Sequence, residues 1–308
     1  SHQRAFLKIQ DGCDAHCTYC IIPSLRPTLW SKPIDDAVAE AQRLVAAGHR
    51  EIVLTGIFLG AFGQPTALRR RQPEGDVDPL VDLIDALCTQ VEGLVRLRLS
   101  SMEPGDLTPG LIDRMKRHKQ IVPHFHLPLQ AGSDRILRKM NRQYDRSQFL
   151  NMITLVNDSF DRPAITTDII AGFPGETDAD FEQTLDIVDK ARFIHTHAFT
   201  YSPRPGTAAA RWEKERVNGQ VANERIKLLQ DRAREHSEAF RRQFISETAT
   251  VLVEREGAGD GVTQHGRCER YFDIHFDAPD ARPGDLVTVQ IDRIQNDRTF
   301  GSVAKAAH

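Results

Sequence analysis

Cys13-Asp14-Ala15-His16-Cys17-Thr18-Tyr19-Cys20 is a C-x3-C-x2-C cluster placed directly after a predicted strand over residues 5–9. Three thiolates can hold three irons of a [4Fe-4S] cluster and leave the fourth iron without a protein ligand. The competing reading is zinc, bound by the three thiolates with His16 or another histidine closing a tetrahedron. Spacing alone favours neither. Zinc sites usually pair two short loops, whereas these ligands share one loop at the C-terminal end of a strand, where barrel folds keep their chemistry, and this tilts the reading toward a cluster with an open iron. The chain has five cysteines, three of them in these eight residues. That pattern argues for a metal site in a reducing compartment rather than for disulfide pairing.

Outward from the motif, short apolar runs alternate with amphipathic stretches, the pattern of parallel βα units. Candidate strands lie at 5–9, 51–55, 95–101, 122–127, 165–170 and 196–201. Between the first two, Ile34, Val38, Ala41 and Val45 recur at helical spacing, with Pro33 near the start and Gly48 just past the end. In the third strand Val95, Leu97 and Leu99 alternate with Arg96, Arg98 and Ser100, so one face is apolar and the other carries polar groups. Six such units without a reversal signal fit an α/β fold of the partial (β/α)6 barrel kind, although a doubly wound sheet satisfies the same pattern.

After Tyr201 the character changes. A turn-rich segment leads into a charged helical stretch over 217–244, and residues 204–242 hold ten Lys/Arg against six Asp/Glu. Five short strands over 249–303 then suggest a small five-stranded β-barrel. Two domains are expected, 1–244 and 245–308. The chain of 308 residues is 40% hydrophobic and 27% charged, which excludes collagen-like, disordered and disulfide-scaffold classes. Its formal net charge of -3 leaves any nucleic-acid site to a local patch. No apolar run approaches the roughly 18 residues that span a bilayer, and a cytoplasmic protein with no membrane partner is expected.

The aromatic Tyr19 immediately before the third cysteine makes the motif resemble the signature of radical S-adenosylmethionine (SAM) enzymes. KIQDGC (8–13), CIIP (20–23), LTGIFLG (54–60), SSMEP (100–104), HLPLQAGS (126–133), TDIIAGFPGE (167–176) and YSPRPGT (201–207) together resemble the methylthiotransferases, and the C-terminal strands are similar to their RNA-binding TRAM domain. Residues 54–60 and 166–176 look most like the branch that converts N6-threonylcarbamoyladenosine in transfer RNA to its 2-methylthio form. The isopentenyladenosine branch and the branch that modifies a ribosomal-protein aspartate are close alternatives. The resemblance implies that Cys13, Cys17 and Cys20 hold a [4Fe-4S] cluster whose open iron binds SAM, and that one electron, from a donor such as flavodoxin or ferredoxin, cleaves SAM to a 5′-deoxyadenosyl radical. The adenosyl radical would then take hydrogen from C2 of the adenine. A second, auxiliary [4Fe-4S] cluster is expected only in a full-length protein, because Cys88 and Cys268 cannot supply the three thiolates it requires. A reading of another class is a noncatalytic RNA-binding module with a structural zinc.

Site residues follow from the same resemblance. Tyr19, Thr55, Gly56, Gln130, Gly172 and Phe173 are expected at the SAM pocket, with Ser100, Ser101 and Glu103 on ribose hydroxyls or the sulfonium region. Asp168 lies inside an apolar strand, where an unpaired charge is expensive, so a pocket role or a buried partner such as an arginine is expected. Ser133 reads as a helix N-cap. The pairs His124/His126 and His195/His197 each share one strand face, and structural histidines are the commoner reading. Arg138, Lys139 and Arg142 read as a solvated basic face, Cys88 as a core thiol.

Overall fold

The alternating apolar segments become six parallel strands taken in chain order. The computed structural model of the protein describes residues 3–69, 78–259 and 262–304. Strands β1 (Ala5–Lys8), β2 (Glu51–Thr55) and β3 (Arg96–Leu99) form one three-stranded parallel sheet, and β4 (His124–His126), β5 (Ala164–Ala171) and β6 (His195–Thr200) form another. A parallel bridge between Ser101 and His126 joins the two into one curved wall. The order never reverses, so the wall is a partial (β/α)6 barrel and not a doubly wound sheet. Among the described residues no ladder closes β1 onto β6, which leaves a lateral slot.

Helices cover the outer face because their apolar stripes match it. Helix α1 (Ile34–Ala46) buries Ala37, Val38 and Ala41, and α2 (Pro79–Gln90) buries Leu80, Leu83, Ile84, Leu87 and Cys88. Beyond α3 (Pro109–Met115) and α4 (Asp134–Lys139), α5 (Arg146–Ser159) and α6 (Asp178–Ala191) each open with a capping box, on Asp145 with Gln148 and on Thr177 with Asp180. Ser133 occupies the N-cap position of α4, but its hydroxyl donates to Asp180 Oδ1 at 2.6 Å instead of capping the helix. The buried Asp180 carboxylate, held by Ser133, Arg135 and Thr177, is the better acceptor.

The polar face of β3 points into the lumen, where Arg96 and Arg98 are 4% and 3% exposed. They are buried because Glu51, at the start of β2, lies between them and Arg4: Arg4 Nε, Arg96 Nη1 and Arg98 Nε each donate to its carboxylate at 3.1 Å. The same arginines reach into the C-terminal domain, Arg4 to Glu254, Arg96 to the carbonyl of Thr250 and Arg98 to the carbonyl of Glu269. The Tyr271 ring sits among Arg4, Arg98 and Arg267 and stacks on His124 at 4.7 Å. Charge thus clamps the second domain to the N-terminal ends of the barrel strands.

That domain follows helix α7 (Gly219–Arg242), which packs along β5 and β6. Strands β7 (Thr248–Gly259), β8 (Val262–Cys268), β9 (Asp273–Asp277), β10 (Leu286–Gln295) and β11 (Arg298–Val303) close into a TRAM-like five-stranded barrel in the order β8-β9-β11-β10-β7. Val251, Val253, Ile274, Phe276, Val289 and Ile291 fill it, and Cys268 is buried in the same core. A Cβ on Gly266 would lie 1.9 Å from the carbonyl oxygen of Leu252 on the paired strand. Gly266→Ala is therefore expected to destabilise the protein by about 1–3 kcal/mol, read from urea unfolding. Gly219→Ala, where a Cβ meets nothing within 4 Å, is the neutral comparison.

Candidate functional site

The cysteine loop leaves β1 at the C-terminal end of the barrel strands, the end at which the cofactor is expected, and is fixed from several sides. Gly12 takes φ +80°, and a Cβ there would meet the carbonyl oxygen of Thr28 at 2.0 Å, so only glycine fits. Gln10, wholly buried, donates to the carbonyls of Asp11 and Gly12 and accepts from the amide of Phe58 at 2.8 Å. Asp14 accepts from Thr66 Oγ1 at 2.6 Å and from the amide of Ala67 at 2.7 Å. Asn141 donates to the carbonyl of His16 at 3.0 Å, and the Thr18 hydroxyl donates to the carbonyl of Lys139 at 2.9 Å. These partners tie the loop to the segment after β2 and to the end of α4.

Cys13 is buried among Ala15, Phe58, Ala61 and Ala67, while Cys17 and Cys20 are partly exposed. Burial pushes the Cys13 thiol up to about 11. Burial also raises Cys17, offset in part by Arg142, whose Nη1 donates to Cys17 Sγ at 3.0 Å. Arg142 is the principal site residue that sequence reasoning missed. Its side chain is buried rather than solvated, and it also contacts the Tyr19 hydroxyl at 3.2 Å and pairs with Glu103. Three thiols on one loop with a cation donating to one sulfur are a donor set that fits an iron–sulfur cluster with a protein-free iron. Among the described residues, no three His, Cys, Asp or Glu side chains converge on a position for a single metal ion.

The expected SAM residues do not share one pocket. Tyr19, Gln130 and Asp168 line a pocket of about 230 Å³ at the cofactor end, together with Phe199, Tyr201 and Arg204. Gln130 has φ +62°, and its backbone bridges to β5 through Asp168 and Ile170. Thr55 and Gly56 lie above Gln10: a Cβ on Gly56 would sit 3.0 Å from the Gln10 side chain, so the missing side chain makes room for the residue that anchors the loop. Ser100 and Ser101 line a second, larger cavity farther down the lumen. Glu103 is held between Arg142 and Arg69.

Three further expectations need restating. Asp168 is paired with His126, whose Nε2 lies 3.1 Å from Asp168 Oδ2, and not with an arginine. Phe173 is fully buried and touches the rings of Tyr19, Tyr201 and Trp212, so it supports the pocket wall from behind. Gly172, at φ +73°, gives its amide to Glu176, whose carboxylate also accepts from Arg225 of α7 at 2.7 Å. The Gly172–Glu176 loop is thereby fastened to α7. His195 and His197 lie with Nε2 and Nδ1 3.2 Å apart and face the lumen. Burial, together with the neighbouring His197, lowers His195, and burial lowers His197, which favours the neutral form of both rings.

Residues 7–188 match the radical SAM superfamily. A tRNA-2-methylthio-N(6)-dimethylallyladenosine synthase of Maricaulis maris is 36% identical over 97% of this chain and 64% of its own length. The synthase of the same description from Frankia casuarinae is 41% identical over 91% of this chain and 51% of its own. The chain thus spans about half to two thirds of the length of these relatives. The radical SAM methyltransferase TsrM of Kitasatospora setae superposes with a TM-score of 0.54 at 14% identity, over 67% of this chain and 38% of its own. Coproporphyrinogen III oxidase HemN of Escherichia coli superposes at 0.50 and 14% identity, over 94% of this chain and 67% of its own. These two likenesses are of fold alone. The relatives overturn the expectation of the threonylcarbamoyladenosine branch, since both are of the dimethylallyl type. Residues 54–60 and 166–176, on which that expectation rested, run from β2 and β5 into the loops that follow these strands.

Proposed function

The chain belongs to the radical SAM superfamily, and on that premise we propose that it is the barrel and C-terminal part of a methylthiotransferase acting on dimethylallyl (isopentenyl) adenosine in transfer RNA. The observation that carries this reading is the identity of 36% and 41% to the dimethylallyladenosine synthases over more than nine-tenths of the chain.

In this reading Cys13, Cys17 and Cys20 hold the cluster, and Tyr19, Thr55, Gly56, Gln130, Asp168 and Gly172 surround SAM. When bound, the cluster supplies one-electron cleavage of SAM, with a flavodoxin or ferredoxin as the class of reductant. The protein's own contribution is placement. Gln10 and Asp14 hold the loop rigid, Arg142 neutralises charge beside Cys17, and Phe173 fixes the Tyr19 ring at 6.4 Å in edge contact. The TRAM-like barrel is the candidate RNA contact. Residues 247–308 carry eleven Asp/Glu and seven Lys/Arg, so its affinity rests on a local patch rather than on net charge.

Arg142→Met removes a hydrogen bond to sulfur and a positive charge at the cluster, both of which favour the more negative reduced state. The expected outcome is an unchanged iron content with a midpoint potential shifted to more negative values, followed by a reductive titration with electron paramagnetic resonance (EPR) detection. The substrate assignment is tested with three transfer RNAs, bearing dimethylallyladenosine, threonylcarbamoyladenosine or unmodified adenosine. Only the first should bind more tightly than the unmodified RNA and increase 5′-deoxyadenosine formation. Equal responses to all three would refute it.

A further inference from the structure

Strands β4 and β5 set four polar side chains side by side on the luminal face. His126 lies opposite Thr166 in the register, and side chains two positions apart in a strand share a face. His124 and His126 of β4 therefore stand beside Thr166 and Asp168 of β5, with Asp168 on the diagonal from His126. Hydrogen bonds join them in a row. His126 Nε2 lies 3.1 Å from Asp168 Oδ2, His126 Nδ1 lies 2.9 Å from Thr166 Oγ1, and Thr166 Oγ1 lies 3.4 Å from His124 Nε2. His124, His126 and Thr166 line the larger cavity farther down the lumen, whereas Asp168 lines the pocket of about 230 Å³ with Tyr19 and Gln130. The row thus starts below the cofactor-end pocket and finishes on a carboxylate inside it.

Elementary hydrogen-bond chemistry gives the row a direction. A carboxylate only accepts, so the hydrogen between His126 and Asp168 sits on His126 Nε2. A neutral imidazole then has a bare Nδ1, and the Thr166 hydroxyl must donate to it. The Thr166 oxygen in turn accepts from His124 Nε2. Burial lowers His124 and favours its neutral ring, and its Nδ1 has no partner among the described residues. A hydrogen on that nitrogen would be a stranded buried donor, so the His124 hydrogen also belongs on Nε2. Thr166 and His124 are 5% and 6% exposed, and turning the His126 ring would leave both without a partner. At the far end the Asp168 side chain is 29% exposed, and its Oδ1 takes no hydrogen bond from the described residues. That oxygen is the acceptor left to a ligand.

We propose that His126 is a positioning residue of the SAM pocket: its Nε2–H, held in place by Thr166, fixes the Asp168 carboxylate so that Oδ1 accepts a hydrogen bond from bound SAM. SAM offers such hydrogens on its ribose hydroxyls and its adenine amino group. The inference rests on the SAM pocket of the proposed function and adds to it a residue that lies outside that pocket.

Two measurements test it. Long-range proton–nitrogen correlation of the nitrogen-15-labelled chain before reconstitution, with the His126 signals identified by their absence from His126→Gln, should show the ring neutral with its hydrogen on Nε2. Calorimetric titration of the reconstituted chain with SAM should then show binding weakened about tenfold by His126→Phe and by Asp168→Ala, the effect of one lost charged hydrogen bond. His126→Gln, whose amide can donate from nearly the same place, should restore most of the loss. If His126 acts through Asp168, His126→Phe should cause no further loss once Asp168 is alanine, a non-additivity that a general loosening of the lumen would not produce. The proposal is overturned by a His126 hydrogen on Nδ1 or on both nitrogens, by a glutamine variant as weak as the phenylalanine one, or by a second tenfold loss in the double variant. A wild type that binds no SAM would sink the functional reading and the proposal together, whereas wild type and His126→Phe binding SAM equally would sink the proposal alone. Should His126→Phe fail to fold, the wild-type nitrogen spectrum and the glutamine variant decide.

Discussion

Glu51→Leu is expected to lower the stability of the folded chain by about 3–5 kcal/mol, the effect of removing one partner from a buried ion cluster. Glu51 is wholly buried and accepts from Arg4, Arg96 and Arg98, all of which are themselves buried. Without the carboxylate, three guanidinium groups remain at the junction of the two domains with their Coulombic partner gone. Burial alone would raise the Glu51 carboxyl, but Arg98, Arg4 and Arg96 outweigh it and hold the group below its usual range. A carboxylate with a lowered folded value contributes stability that is present above its unfolded pKa and lost as pH falls through the folded one. The gap between wild type and Glu51→Leu in urea unfolding should therefore be full at pH 7 and shrink at acid pH. A gap that is small at pH 7, or that widens on acidification, would contradict the role given to Glu51.

Cys17→Ala is expected to abolish cluster binding while leaving the fold intact. Two remaining thiolates cannot hold three irons, so iron content should fall to near zero after anaerobic reconstitution and 5′-deoxyadenosine should not form from SAM. The fold should survive because Cys17 is partly exposed, and the loop is fixed by Gln10, Asp14 and Asn141 rather than by the sulfur. Cys88→Ala, in the stripe of α2, should keep its full iron content. If Cys17→Ala retained iron equal to wild type, the ligand assignment would be wrong.

What the sequence made legible was what is local. The cysteine spacing, the sequential strands, the helix stripe through Ile84 and Cys88 and the five closing strands each depend on periodicity within a short window. What it hid depends on register between distant segments. The alternation of Arg96 and Arg98 with apolar residues was visible, but their shared partner lies some 45 positions earlier, and the chain that covers them more than 150 positions later. Asp168 was recognised as an expensive charge in an apolar strand. Its partner His126 could not be identified before the pairing of β4 with β5 was known. Arg142 looked solvated because it follows the basic pair Arg138 and Lys139, yet the chain leaves α4 at Lys139 and turns through Asn141 at φ +58°, which brings Arg142 onto Cys17. The nucleoside branch was read from two short segments, residues 54–60 and 166–176, and relatives that match more than nine-tenths of the chain overturn it.

The central claim is that three thiolates on the first loop support reductive SAM cleavage. Anaerobic reconstitution of this chain, with iron and zinc counted and 5′-deoxyadenosine measured after reduction in the presence of SAM, tests it most directly. The expected result is about four irons per chain, a brown protein and 5′-deoxyadenosine. One zinc per chain, a colourless protein and no 5′-deoxyadenosine would contradict it.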